Sequence, residues 1–200
     1  MLNKLIISLL SMVLVMPLFA GTLQSAVKDN PRVYVETNKG DFTLELYPDK
    51  APVTVENFLH YVENKFYDQT LIHRVRKGFV LQGGGYTIDN IKKETAPPIK
   101  NEADNGLKND RYTISMARTN KINSATSQFF INLQDNSALD HKGDTPRKYG
   151  YAVFGKVIEG QKTIDNIGNV EAKMKDGMYR PVNKVIIEKM RMVKKEDSKE

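Results

Sequence analysis

In the stretch IHRVRKGFVLQGGG, residues 72–85, His73 stands beside Arg74 in a largely apolar run that ends in three glycines. Neighbouring side chains on a strand take opposite faces, so one of the pair faces a core and the other faces away. His73 reads as a packed, hydrogen-bonded structural residue, with acid–base catalysis as the alternative. Arg74 is then a fixed charge on an apolar strand. It serves either a surface salt bridge or a face shared with Phe79 and Gln82. The glycines lack a following Lys-Ser or Lys-Thr and open no helix, which argues against a phosphate cradle. They read as a bend at a strand end. A second stretch, SMARTNKINSATSQFFINLQDN at 115–136, carries Gln128 and Phe130 two residues apart and so on one face. A face with an arginine, two phenylalanines and two glutamines suits an extended peptide: amides satisfy its backbone and aromatics hold an apolar side chain.

Other chemistries find few candidates. Of the three histidines, His60 falls on a predicted helix surface and His141 in a polar loop. No histidine pair has metal-site spacing, and with no cysteine there is no thiolate ligand, disulfide or lipid-modified cysteine. No serine sits in a nucleophile-elbow pattern. The formal charge of +6 permits polyanion contact, yet the lysines are interleaved with acids, the pattern of a solvated surface.

The elements that must position these residues follow from periodicity. RVYVETNKGDFTLELY alternates as two strands around a hairpin at Asn38, Lys39 and Gly40. APVTVENFLHYVENKFY places Val55, Phe58, Leu59 and Val62 on one helical face, with Pro52 in its first turn. Strands are predicted at 71–75, 79–82, 111–117, 128–133 and 151–157, then a short helix in GQKTIDNIGNV with Ile164 and Ile167 inward, and a closing strand in NKVIIEKMRMV. Many short strands with two helices predict a mainly β, closed antiparallel barrel, because closure removes exposed edges. Long connections at 85–110 and 133–150 are rich in Gly, Pro, Asn and Asp, and loops of that length tend to be functional.

The N-terminus differs in kind. Lys4 precedes an apolar run at 5–20 that is too short for a typical membrane span of about 20 residues. With the small residues Ala20 and Gly21 at its end, the run reads as a cleaved export signal. Residues 21–31 read as a linker, 32–192 as the folded domain and 193–200 as a charged tail. The expected location is the periplasm, with no stable membrane anchor and a monomeric state.

FYDQTLIHRVRKGFVLQGG (66–84), SMARTNKINSATSQFFI (115–131) and YGYAVFGKVIEG (149–160) together resemble the cyclophilin family of peptidyl-prolyl cis–trans isomerases. The resemblance runs from about residue 32 to 192. APPIKNEADNGL, with ALDH and YGYAVFGKV, is similar to the exported bacterial branch. It implies an eight-stranded antiparallel barrel capped by two helices, proline-containing polypeptides as partners, and neither cofactor, metal nor nucleic acid. It further implies Arg74 as the catalytic arginine. Phe79, Val80, Gln82, Gln128, Phe130 and Leu139 would line the proline pocket and groove, and Ala117, Arg118 and Thr119 would bind peptide backbone. Tyr151 stands where many members carry histidine. Val80 replaces a common methionine, and Ala138 replaces an aromatic, which implies weak cyclosporin-type binding. A non-catalytic peptide-binding chaperone using the same groove is the alternative.

Overall fold

The computed structural model describes residues 29–193, so the expected signal, most of the linker and all but the first residue of the tail lie outside the described residues. Alternation of apolar side chains makes the first two strands. β1 (Arg32–Thr37) sends Val33 and Val35 into the core, and β2 (Phe42–Leu46) sends Phe42, Leu44 and Leu46. The expected hairpin joins them, with Gly40 at φ 106° and its N–H donating to the Thr37 carbonyl. α1 (Pro52–Glu63) begins at proline, whose fixed φ suits the first turn. It buries Val55, Phe58 and Val62 as expected, and also Thr54 and Tyr61.

β3 (Thr70–Arg76), β4 (Val80–Thr87), β5 (Thr113–Met116), β6 (Phe129–Asn132), β7 (Val153–Glu159) and β10 (Ile186–Met192) complete a closed eight-stranded barrel in the order β1-β10-β3-β4-β6-β5-β7-β2. Every pairing is antiparallel. Phe58 joins the helix to the core through ring contacts with Tyr67, Phe129 and Phe154 at 5.2, 5.8 and 5.1 Å. α2 (Gln161–Gly168) buries Ile164 and Ile167, as its spacing predicts.

Two expectations are corrected. The glycines do not end a strand, because β4 runs through Gly83, Gly84 and Gly85 to Thr87. They serve close approach instead. A Cβ on Gly84, where φ is 79°, would lie 2.8 Å from the Tyr67 ring, and one on Gly85 would lie 2.5 Å from Gln128 Nε2. Sequence periodicity also missed a two-stranded hairpin outside the barrel, β8 (Ala172–Lys175) and β9 (Met178–Pro181). Its turn, Asp176–Gly177, takes positive φ at both residues. Asp-Gly is a strong short-range signal for that turn, but the flanking segment is too lysine-rich to read as a strand.

Candidate active site

The site grows out of an irregularity in the β3–β4 ladder. Ile72 pairs with Gly83 and Arg74 with Gln82, so β3 gains one residue, His73, relative to its partner. Such a bulge re-aims side chains. It sends His73 under the β8–β9 hairpin and Arg74 to a different cavity, while Ile72 and Val75 are the β3 residues in the core. Across the neighbouring strands Arg74 pairs with Gln82, and Gln82 with Phe130, in one row. Arg74 Nη1 donates to Gln82 Oε1 at 3.1 Å, and Gln82 Nε2 donates to Gln128 Oε1 at 2.9 Å. The chain of amides fixes the guanidinium.

Beside it is a cavity of about 200 Å³. Phe79 enters from a tight turn closed by its own N–H to the Arg76 carbonyl, with Gly78 at φ 64°. The Arg74 guanidinium carbon lies 5.9 Å from the centre of its ring. Val80, Phe130, Leu139 and Ala117 supply further apolar wall, and Phe130 meets Tyr151 edge-on at 5.5 Å. Arg118 packs over Tyr151 at 4.9 Å and is pinned by donating to the carbonyls of Gly150 and Pro146, each at 2.8 Å.

Two residues expected at the groove are not part of this cavity's wall. Gln128 acts through Gln82. Thr119 is exposed, its N–H donating to Ser124 Oγ at 3.0 Å and its carbonyl accepting from Arg118. Ala138, on the short 3₁₀ turn Ser137–Leu139, is exposed. His60 is exposed on α1, and His141 is held by the Tyr149 carbonyl at 2.9 Å in the loop.

Electrostatically the neighbours His73 and Arg74 diverge. Burial, then the adjacent Arg76, lower the Arg74 pKa from its ordinary value; a guanidinium nonetheless stays charged. His73 is 4% exposed, and burial with the nearby Arg180 brings its pKa down to about 4. It packs on Tyr86 at 4.7 Å, but its Nδ1 has no hydrogen-bond partner. The expected packing is present, and the Leu71 backbone acts on the imidazole, opposing the downward shift, while Nδ1 itself meets no hydrogen-bond partner.

Sequence reasoning missed the polar support under the cavity. Asn109, buried, donates its backbone and side-chain N–H groups to Asp140 Oδ1 at 2.8 and 3.2 Å and accepts from Ser115 Oγ at 2.8 Å. Asn132 donates to Asn109, and Asn136 donates both to Asn132 and to the Phe79 carbonyl at 2.9 Å. On the other side Ser127 Oγ donates to the Gly84 carbonyl and Tyr67 donates to the Ser127 carbonyl, each at 2.8 Å. In sequence Asn109 and Asn136 read as loop residues and Asn132 as one more strand residue. Only their shared burial reveals a network that holds Phe79 and Leu139 in place.

The ionisable groups in the cavity wall are Arg74, Arg118 and Tyr151. A fixed cationic donor beside the apolar side chains of Phe79, Val80, Phe130 and Leu139 suits an apolar ring next to a hydrogen-bond acceptor. Residues 32–192 match the family model described as cyclophilin type peptidyl-prolyl cis-trans isomerase/CLD. The chain is 51% identical over 162 residues to the peptidyl-prolyl cis-trans isomerase cyp18 of Streptomyces antibioticus, covering 80% of this chain and 98% of that protein. It is 45% identical over 192 residues to peptidyl-prolyl cis-trans isomerase A of Dickeya dadantii, covering 95% and 96%. A crystal structure of a Cryptosporidium parvum cyclophilin type peptidyl-prolyl cis-trans isomerase is similar at TM-score 0.67 and 28% identity, over 82% of this chain and 98% of that one. The crystal structure of that protein in the presence of the dipeptide Ala-Pro gives TM-score 0.66 at 29% identity, over 82% and 99%.

Proposed function

The chain belongs to the cyclophilin-type peptidyl-prolyl cis–trans isomerases and is an enzyme of that class; we propose that it turns X–Pro bonds of exported polypeptides as they fold, with Arg74 as the catalytic hydrogen-bond donor. Resonance gives a peptide bond a rotational barrier of about 18–20 kcal/mol. For X–Pro the two isomers are nearly balanced, yet exchange takes tens to hundreds of seconds. A catalyst therefore needs only to stabilise the twisted amide. At mid-rotation the prolyl nitrogen becomes pyramidal and its lone pair becomes an acceptor. A guanidinium donates to that nitrogen in the twisted state and not in the planar one, which is differential transition-state binding.

The observation that carries this reading is the Arg74 guanidinium, held by Gln82 and, through it, Gln128, beside a cavity walled by Phe79, Val80, Phe130 and Leu139. In this mechanism Phe79, Val80, Phe130 and Leu139 take the proline ring, Ala117, Arg118 and Thr119 bind the peptide backbone, and Tyr151 closes the far side. The Ala-Pro dipeptide used with the Cryptosporidium parvum protein supports proline-containing chains as the ligands. The apolar run at 5–20 supports export to the periplasm. N-terminal sequencing of the periplasmic fraction should find a mature chain beginning near residue 21.

The decisive measurement is X–Pro exchange in a short peptide, followed by NMR without a coupled protease. Arg74→Ala should lower kcat/KM by roughly 10²–10³-fold, the cost of losing one preorganised donor, with the thermal midpoint little changed. An unchanged rate would remove Arg74 from the mechanism. If the parent chain holds unfolded polypeptides without accelerating exchange, the groove is instead that of a binding chaperone.

A further inference from the structure

A second cavity, of about 420 Å³, lies behind β3 beneath the β8–β9 hairpin and shares no wall residue with the proline groove. Four cations line it: Lys173 and Lys175 from β8, Arg180 from β9, and Lys184 beyond it, with no carboxylate in the wall. Lys175 and Lys184 have no ion-pair partner among the described residues. Lys173 pairs at 3.3 Å with the largely exposed Glu171, and Arg180 Nε lies 3.7 Å from the largely exposed Asp176. Arg180 Nη1 donates to Asn90 Oδ1 at 2.8 Å, so the guanidinium is oriented at the cavity.

Two buried polar atoms among the described residues lack a hydrogen-bond partner, His73 Nδ1 and Arg180 Nε, and both residues belong to this wall. Native proteins pair nearly all such groups, because leaving one unpaired costs about 1–3 kcal/mol. Arg180 Nε–H reaches a carboxylate only at 3.7 Å, and the neutral His73 donates from Nδ1 in its Nδ1–H tautomer. Ringed by cations, these two groups call for a ligand with several acceptor oxygens and more than one negative charge. A single carboxylate offers too few oxygens and one charge. A phosphoryl group offers three or four oxygens and suits guanidinium geometry.

We propose that the cavity under the β8–β9 hairpin binds a phosphoryl-class anion, held by Arg180, Lys175 and Lys184 with the His73 imidazole at its inner wall. The volume exceeds that of one tetrahedral ion, so a small phosphate monoester fits better than free phosphate. The isomerase reaction uses none of these groups.

The test is an ¹⁵N NMR titration of the chain with inorganic phosphate and with glycerol 3-phosphate, at ionic strength matched by chloride. Saturable shifts should be confined to 71–73, 90 and 172–185, with a Kd of about 1 mM or tighter and glycerol 3-phosphate binding at least as well as phosphate. Arg180→Gln should weaken binding at least about fivefold, in keeping with loss of a charge-assisted contact, without changing isomerase rate. Lys184→Gln, an exposed substitution that spares the fold, should also weaken it. Non-saturable shifts, shifts reproduced by chloride, shifts centred on Arg74 and Phe130, or full binding by Lys184→Gln and Arg180→Gln would each overturn the proposal.

Discussion

Arg74 and His73 are covalent neighbours with different fates. Arg74 keeps its charge at the edge of the cavity it shares with Phe79 and Phe130, whereas His73 is buried beside Arg180 and is neutral at pH 7, its pKa being about 4. The unfolded chain protonates this imidazole near 6.5, so between 6.5 and 4 the unfolded state holds more protons and stability rises with pH. The contribution is complete above 6.5 and is lost as pH falls to 4; it amounts to about 3 kcal/mol. The unfolding free energy of the parent chain minus that of His73→Gln, measured across this window in phosphate-free buffer, should shrink by that order as pH falls. A difference independent of pH would mean that the folded histidine titrates normally. At this scale the sequence was readable where strand periodicity holds, as for Val33 with Val35 in β1. It was not readable at the β3 bulge, because an extra residue breaks the period.

At the scale of elements, two contacts far apart in sequence do different work: one holds the site and the other starts a helix. Glycine at position 85 leaves room for the Gln128 side chain, whose Nε2, Cγ and Cδ would lie 2.5–2.7 Å from a Cβ there. Gly85→Ala should expel Gln128 and release Gln82 and Arg74. The expected effect is a fall in kcat/KM of roughly 10–100-fold with only about 1 kcal/mol of lost stability. Paired kinetics and urea unfolding check both parts. The second contact starts α1, whose N-terminal residue Ala51 offers no side-chain cap. Buried Glu102 takes that role from the long loop, accepting from the N–H groups of Val53 and Thr54 at 3.1 and 2.8 Å and from Thr54 Oγ1 at 2.7 Å. Its carboxylate also meets the positive end of the helix. Glu102→Ala should destabilise the chain by about 2–3 kcal/mol in urea unfolding, and a cost near zero would mean that water replaces the cap. Helix and strand positions were legible from spacing, while the cap was not, because donor and acceptor are 48 residues apart.

For the whole molecule, closure is what turns short strands into a stable frame. β10 is the seam: it pairs with β1 from Val33↔Met192 onward and with β3 through Ile186↔Leu71. Deleting 186–192 would leave β1 and β3 with open edges and uncover core residues such as Val33, Val35 and Ile72. The expected outcome is loss of a cooperative calorimetric transition and of near-ultraviolet circular dichroism; a sharp transition would show that the open sheet is enough. The sequence by itself determined the local terms: alternating strands, the amphipathic faces of both helices, the Asn38–Gly40 turn, and the residue types that line the cavity beside Arg74. These depend on side-chain period and turn chemistry, which act over a few residues. Only the tertiary structure decided that Arg74 leans on Gln82 and through it on Gln128, that buried asparagines support the cavity beside Arg74, and that lysines of β8 share a second cavity with His73. Those arrangements depend on strand register, a bulge and barrel closure, which join residues whose separation along the chain carries no local signal.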